Sequence, residues 1–427
     1  MPNGASTAHL FQPKLFAMFG EHYGAQQFKR DLSAGLTVAI VALPLSMAIA
    51  VASGVSPERG LYAAIVGGFL VSALSGSRYQ IGGPAGAFIV LVAACRMEFG
   101  LSGLLTAVLC SGALLAVLGL LRVGSLIRHI PHAVTVGFTA GIAVTILASQ
   151  IKDFTGLHLA GPEPGALLPK LAALFRSAPS FNPFALALAA GCVVVIQTVR
   201  RLWPKAPSML IAVVGASLLV FLLKLPVETI HSRFGEIPSG LPKPALPNLS
   251  LAGMATLAPT ILSFTLLGGI ESLLSAKVAD SMSGRVHRSN MELVGQGVAN
   301  IFSSLFGGLC VTGTIARTAT NIRAGAFSPV SGMIHALILL SFMFVAAKWV
   351  GLIPLCALSG ILAGVCWDMV ERKEIRRLIL QPSQGAVLAV TFLGTVVKDL
   401  TVGIVSGCVL ALVLFLIKRR TPGHEPI

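Results

Sequence analysis

Charge is scarce in this sequence. Of 427 residues, 16 are acidic and 31 basic, 11% in all, less than half of the roughly 25% found in ordinary soluble chains. Tryptophan and tyrosine are rare too, with three of each. The seven cysteines (Cys95, Cys110, Cys192, Cys310, Cys356, Cys366, Cys408) show none of the paired spacings of zinc, redox or disulfide sites and read as small packing residues. There is no nucleophile triad, Walker loop or metal-ligand spacing. Catalysis, ATP-driven transport, a cofactor and a metal centre therefore have no support. The N-terminus lacks the charged n-region, apolar h-region and cleavage site of a removable signal peptide. It reads as a cytoplasmic amphipathic lead-in, with Phe11, Leu15, Phe16 and Phe19 suited to the membrane interface.

What is abundant is apolar length. Hydrophobic residues make up 55% of the chain and the mean hydropathy is +0.86, so the length is read as a number of membrane spans. Fourteen segments fall near 33–54, 60–77, 80–95, 101–121, 132–151, 183–199, 207–224, 255–279, 290–307, 309–322, 327–347, 351–369, 382–397 and 399–417. The expected fold is an all-α polytopic membrane protein. The net charge of +15 comes from short clusters between apolar runs, which are topology signals and not a nucleic-acid surface. Threading from an inside N-terminus puts "FKRD", "RLWPK", "GRVHR", "ERKEIRR" and "IKRR" on the cytoplasmic face. Only scattered bases such as Lys152, Lys170, Arg176, Arg233 and Lys243 then fall on the other face, so both termini are expected in the cytoplasm and the protein in the cell (inner) membrane.

Two spans are interrupted in matching ways. In "YQIGGPAGAFIVLV" an extended start runs from Tyr79 to Gly83, and Pro84 is where a helix can begin. In "GGLCVTGTIARTATNI" an extended Leu309–Thr312 leads through Gly313 into a short helix from about Thr314. These are the third and tenth spans, seven apart, so the chain reads as 7+7 repeats that are inverted because seven is odd. Broken backbone at membrane depth needs protein or a water-filled cavity around it. The two half-helices are therefore expected to meet N-terminus to N-terminus at the midplane.

Facing helix N-termini attract an anion through their unpaired N–H groups. Arg317, in the first turn of the second half-helix, adds a full charge and a donor fork suited to oxyanions. Gly82, Gly83, Ala85, Gly86, Ala87 and Gly313 are small enough for a ligand to approach the backbone. Helix packing of small residues is the structural alternative for the Gly82–Gly83–Pro84 stretch alone. In "LSFTLLGGIESLLSA" the only charged residue is Glu271, with Ser275 one turn later. A carboxylate there binds a coupling cation or takes up a proton, unless it forms a permanent ion pair, with Arg317 as the natural partner. His335 reads as a packed imidazole, Asp368 with "ERKEIRR" as a solvated helix, Lys398 with Asp399 as a turn, and Asp280, Arg285 and Arg288 as the loop closing the eighth span.

The stretch "AGLTVAIVALPLSMAIAVASGVSPERGLYAAIVGGFLVSALSGSRYQIGGPAGAFIVLV" closely resembles the SulP (sulfate permease) family of anion transporters. So do "GGLCVTGTIARTATNIRAGAFSPVSG", "GGIESLLSAKVADSMSG" and "ELVGQGVANIFSSLFGG", and the likeness runs from about Lys29 to Arg420. The resemblance implies a core domain (helices 1 to 4 and 8 to 11) that carries an anion past a gate domain (5 to 7 and 12 to 14) in an elevator-like motion. On this sequence that means a segment 1–31, helices 1 to 5 in 32–151, gate helices 6 and 7 with external loops in 152–250, core helices in 251–349, gate helices in 350–418 and a tail 419–427. It also implies substrate contacts from helix 1 (Leu45, Ile49) and from the starts of helices 3 and 10 (Gly83, Pro84, Ala85, Gly86, Ala87; Gly313, Thr314, Ile315, Ala316, Arg317), with Glu271 as the coupling position.

There are departures from the family pattern. Many members carry a C-terminal STAS domain, and this sequence is expected to be the membrane domain without it, since it stops at Ile427 just after the last span. Animal members often have Gln and Phe at the positions of Leu45 and Ile49, and Ser at that of Ala316. Sodium-using relatives typically carry aspartate where this chain has Glu271. The reading is therefore a secondary active transporter of small anions, sulfate foremost, by proton symport. The alternatives are a sodium-coupled bicarbonate or C4-dicarboxylate transporter, a nucleobase permease of the same fold, and an anion channel or non-transporting sensor. Membrane lipid and a second copy of the chain, as a homodimer, are the expected macromolecular partners.

Overall fold

The structure is a computed structural model and describes residues 11–420 apart from 19, 20, 22, 128–130, 162, 165, 166, 205, 248–250 and 399. Phe19 of the lead-in, Lys205, Asp399 of the turn with Lys398 and residues 421–427 of the tail lie outside the described residues.

Helices arise where apolar runs are long, and they start where proline or a capping residue permits. α1 is Ala25–Ala52. α2 is Pro57–Tyr62, a π-helical turn Ala63–Gly67 and Gly68–Leu74 in succession. A 3₁₀ turn Gly86–Phe88 opens Ile89–Leu120, which breaks at Gly100 (φ 69°, ψ −172°) into α3 (86–99) and α4 (101–120). There follow α5 His132–Thr155, α6 Pro183–Leu202, α7 Ser208–Leu223, α8 Leu251–Ser283, α9 Ser289–Leu305, α10 Ile315–Arg323, α11 Val330–Val350, α12 Leu355–Met369, α13 Pro382–Val397 and α14 Leu400–Arg420. α6 shows the local logic. Asn182 Oδ1 accepts from Phe184 N (3.0 Å) and Ala185 N (3.3 Å), and Pro183 fills the first helical position, where its missing N–H removes an orphan donor.

The expected spans and the observed helices coincide closely. The main difference is α1, which begins at Ala25 and not near 33, because Gln27 Oε1 accepts from Gly24 N (3.0 Å) and caps a start rich in good helix formers. The segment before it does more than lie at an interface. Lys14 N donates to Ser75 O (3.1 Å), Arg288 donates to Gln12 O and Arg78 pairs with Glu21 (2.6 Å), so it is docked on the ends of α2 and α9.

Among the described residues six helices are long and apolar enough to cross a bilayer unaided. α10 is not one of them: its nine residues, at about 1.5 Å each, reach about 14 Å, half of a roughly 30 Å hydrocarbon core. Such a helix must be enclosed by others. α11 packs on α1 and α2, α9 on α2 and α4, and α8 on α4 and α10. In a second grouping α5 packs on α12 and α13, α6 on α7 and α12, and α13 on α14, while α12 lies against α1 where the two groupings meet. The α4–α9 crossing depends on two glycines, since a Cβ at Gly112 would sit 2.7 Å from Gly297 O and one at Gly297 2.5 Å from Gly112 O. Large apolar side chains such as Phe221, Val345 and Phe415 point outward, while Glu292, Gln296, Asn300, Arg317, Asn321 and His335 are buried. That distribution suits a lipid surround and a polar interior.

Candidate functional site

The two interrupted spans meet. β1 (Gly82–Gly83) pairs antiparallel with β2 (Thr312–Gly313), with Gly82 opposite Gly313 and Gly83 opposite Thr312. Two-residue strands carry little stability alone, so the surroundings hold them. Thr314 N donates to Ile81 O (3.0 Å) and Ile81 N to Thr318 Oγ1 (3.1 Å). Val311 N donates to Asn300 Oδ1 and Asn300 Nδ2 to Val311 O, both at 2.8 Å. From this crossing α3 and α10 set out, and neither N-terminus has a side-chain cap among the described residues. Both leave backbone N–H groups pointing back toward the crossing.

Arg317 occupies this junction and is 1% exposed. Its Nη2 donates to Ser46 Oγ (3.1 Å) on α1 and to Pro84 O (3.3 Å), while Nε and Nη1 have no partner. Nη1 lies only 2.1 Å from where a Cβ on Gly83 would be, so that glycine makes room for the guanidinium. Among the described residues Arg317 forms no ion pair, and the expected structural alternative of a permanent pair with Glu271 is not formed. Glu271 is half-buried and accepts from Thr312 Oγ1 (3.2 Å), which ties it to β2 instead. A direct pair would have left the guanidinium neutralised from within. A bond to Thr312 leaves its charge uncompensated.

The remaining expected residues divide into walls and supports. Ile315 and Ala316 are exposed at the start of α10, and Thr314 is its N-cap position. Ala85 and Ala87 are buried at the start of α3, and a Cβ on Gly86 would face Ile146 of α5 (3.5 Å) and Met369 of α12 (3.9 Å). Leu45 and Ile49 are buried on α1, 6% and 4% exposed. Ser275 does not face Glu271's carboxylate as a partner: its hydroxyl is buried against Thr318 Oγ1 (3.3 Å), one residue after Arg317. His335 is fully buried with Nδ1 3.3 Å from Gly332 O. Arg323 is exposed at the far end of α10. Asp368 is exposed, as expected of a solvated helix end, and pairs there with Arg200 of α6 (2.6 Å). Asp280 pairs with His287 (2.6 Å) across the loop after α8.

Four buried residues, three at or near the site and Asp31 at the start of α1, were not singled out from the sequence. Ser46 contacts Arg317. Gln80 Nε2 donates to Glu292 Oε1 (2.6 Å) and Ser272 O (3.2 Å), and its amide fills the space a Cβ on Gly313 would need. Glu292, fully buried on α9, also accepts from Ser77 N (3.0 Å). Asp31 accepts from Phe327 N (2.6 Å), Ser328 N (3.0 Å) and Ser328 Oγ (2.5 Å), where the chain enters α11. The available signal was a polar residue inside or beside an apolar run, the same signal that marked Glu271.

A family model described as the sulfate permease family matches residues 28–392. YvdB of Bacillus subtilis is 43% identical over 397 residues, covering 92% of this chain and 74% of the relative. The bicarbonate transporter BicA of Picosynechococcus is 31% identical over 400 residues, covering 91% of this chain and 70% of that protein. The solved transmembrane domain of a cyanobacterial BicA matches with a TM-score of 0.79 at 30% identity, over 91% of this chain and 98% of that one. With the match extending from before the first span's midpoint into the thirteenth helix, the chain belongs to the sulfate permease family and is a multi-pass membrane transporter of anions, not an enzyme.

Proposed function

We propose that this chain is a secondary active transporter that moves sulfate, or an oxyanion of similar size, in symport with protons. The observation that carries the reading is Arg317, a buried guanidinium with two partnerless nitrogens, Nε and Nη1, beside two uncapped helix N-termini. A charge at that depth costs about 2.5–3.5 kcal/mol on insertion scales, and each helix N-terminus favours an anion by about 0.3–1 kcal/mol, up to ~2 when partly buried. An anion at this junction offsets the first and uses the second. Arginine's planar fork suits an oxyanion, and the walls of Gly83, Pro84, Ala85, Gly86, Ala87, Gly313, Thr314, Ile315 and Ala316 suit a compact one. Leu45 and Ile49 close it from α1.

Glu271 is the coupling residue in this reading. It has a hydroxyl partner and forms no ion pair among the described residues, and Thr312 links it to the strand opposite Gly83. A proton on Glu271 therefore acts on the backbone that shapes the anion site. Ser275, through Thr318, steadies the same region. Gly86 lies where α3 faces α5 and α12, which supports an elevator in which α1–α4 and α8–α11 move against α5–α7 and α12–α14. Inner-membrane placement, cytoplasmic termini and a homodimer belong to the same proposal.

The likeness to BicA favours one second reading, sodium-coupled bicarbonate transport. Purified protein in liposomes decides between them. Uptake of sulfate, bicarbonate, fumarate, chloride and nitrate is measured under an imposed proton gradient and then a sodium gradient. Sulfate accumulation driven by protons alone supports the proposal, while bicarbonate accumulation driven by sodium alone replaces it. Anion flux that only dissipates gradients would mean a channel.

A further inference from the structure

A second cluster of charge lies away from Arg317. A cavity of about 340 Å³ is walled by the ends of α1 and α3 on one side and by the end of α5 and the loops after α5 and α7 on the other. Its charged lining is Arg96, Lys152, Lys170 and Arg233 with Asp153 and Glu163. Both carboxylates are already engaged: Arg233 Nη2 is 2.8 Å from Asp153 Oδ1, and Lys170 Nζ is 2.9 Å from Glu163 Oε1. Glu228, outside the wall, also pairs with Arg233 and lies 3.6 Å from His158. Arg96 and Lys152 form no ion pair among the described residues, and both are half-buried.

We infer that this cavity is a second anion-binding site, a vestibule where a small oxyanion is held between Arg96 and Lys152 on its way to or from Arg317. Helix dipoles explain a cation in the last turn of α3 or of α5. They do not explain two such cations facing one cavity whose acidic wall residues are all paired. The placement fits a route. Arg96 is ten residues beyond Gly86 on the same helix, about 15 Å at 1.5 Å per residue, which is half the hydrocarbon thickness. The two cations stand on opposite sides of the seam between the groupings, Arg96 on α3 and Lys152 on α5, so relative motion of the groupings changes their separation and hence the hold on the anion. A cleft whose two carboxylates are paired and whose remaining charge is positive also concentrates its counter-ion.

This rests on the proposed anion transport, and two measurements separate the claims. In sulfate uptake at low ionic strength, the double variant Arg96→Gln/Lys152→Gln is expected to raise KM about 5-fold and flatten the salt dependence, the size expected for lost electrostatic attraction. Vmax stays within about two-fold, the charge-conserving Arg96→Lys/Lys152→Arg restores KM, and Lys243→Gln, outside the cavity, changes neither. An unchanged KM and salt dependence in the double variant overturns the site. Independently, equilibrium binding of radiolabelled sulfate to Arg317→Ala protein is expected to show residual sites that vanish when Arg96→Gln/Lys152→Gln is added. Residual binding that survives the addition also overturns it. Should the parent protein transport none of the anions tested, the proposed function fails while the binding measurement still decides the vestibule.

Discussion

Arg317 on α10 and Ser46 on α1 are joined by a 3.1 Å hydrogen bond from Nη2 to Oγ. The serine hydroxyl's own proton goes to Ala42 O (2.7 Å), so its oxygen is held as the acceptor. One span of the first repeat thereby orients the buried charge of the half-helix in the second, whose other arginine, Arg323, is exposed at the far end. Pro84 O at 3.3 Å adds a second anchor from the other half-helix.

Removing the charge should weaken the anion far more than removing its anchor. Arg317→Ala is expected to raise the sulfate KM by about 10- to 100-fold, the range of a charge-assisted hydrogen bond of about 1.5–3 kcal/mol. Ser46→Ala should raise it about 10-fold or less, since the guanidinium keeps its charge and its second anchor on Pro84 O. Arg323→Ala, at the exposed end of α10, should leave it unchanged. Liposome uptake kinetics on the three variants check the ranking, and equal effects at positions 317 and 323 would remove Arg317 from the site.

Gly83→Ala tests the crowding at the crossing. A methyl there would sit 2.1 Å from Arg317 Nη1, yet that atom ends a flexible side chain, so the fold can yield by moving the guanidinium. The expected outcome is normal expression and thermal stability with sulfate affinity reduced to near that of Arg317→Ala. Wild-type affinity in this variant would show that the guanidinium's position does not matter.

Glu271→Gln keeps the shape and the bond from Thr312 Oγ1 while abolishing titration. Proton-driven sulfate uptake should be lost, while sulfate exchange across membranes without a pH gradient persists. Undiminished uptake with a pH gradient as the sole driving force would end the assignment of Glu271 to coupling.

On the docked N-terminal segment, the hydrogen bonds from Arg78 hold Glu21 below the usual carboxylate range. A depressed pKa in the folded protein means that ionised Glu21 stabilises the fold above its unfolded pKa, and that this contribution is lost as pH falls through the lowered folded value. Wild type should therefore melt above Glu21→Gln at neutral pH, and the gap in Tm should close in acid. Because the carboxylate is partly solvated, the gap will be small. A gap that widens on acidification would contradict the pairing.

Much of this architecture is legible in one dimension. α13, Pro382–Val397, was read to the residue, because an apolar run following a proline must close its own hydrogen bonds in lipid. Pro84, before α3, and Gly313, before α10, are visible as interruptions because proline and glycine break an apolar run. Glu271 and Arg317 stood out because ionisable groups inside such runs are rare. Ser46, Gln80, Glu292 and Asp31 did not stand out, since serine and glutamine are ordinary in membrane helices and the acidic pair sits near span ends. Their roles depend on partners 271 residues away for Ser46, 212 for Gln80 and 297 for Asp31.

By itself the sequence determined that the chain crosses a membrane many times, where each crossing lies and which two are broken, because lipid compels every segment to satisfy its backbone locally. It also marked the two groups that hydrocarbon would not tolerate without purpose. Only the tertiary structure decided whom those groups face. The Glu271 carboxylate meets Thr312 and not Arg317, and the arginine meets Ser46 and Pro84 O with Nε and Nη1 left over. Side-chain hydrogen bonds at 3 Å are set by how distant helices pack, and hydropathy along the chain carries no information about that distance.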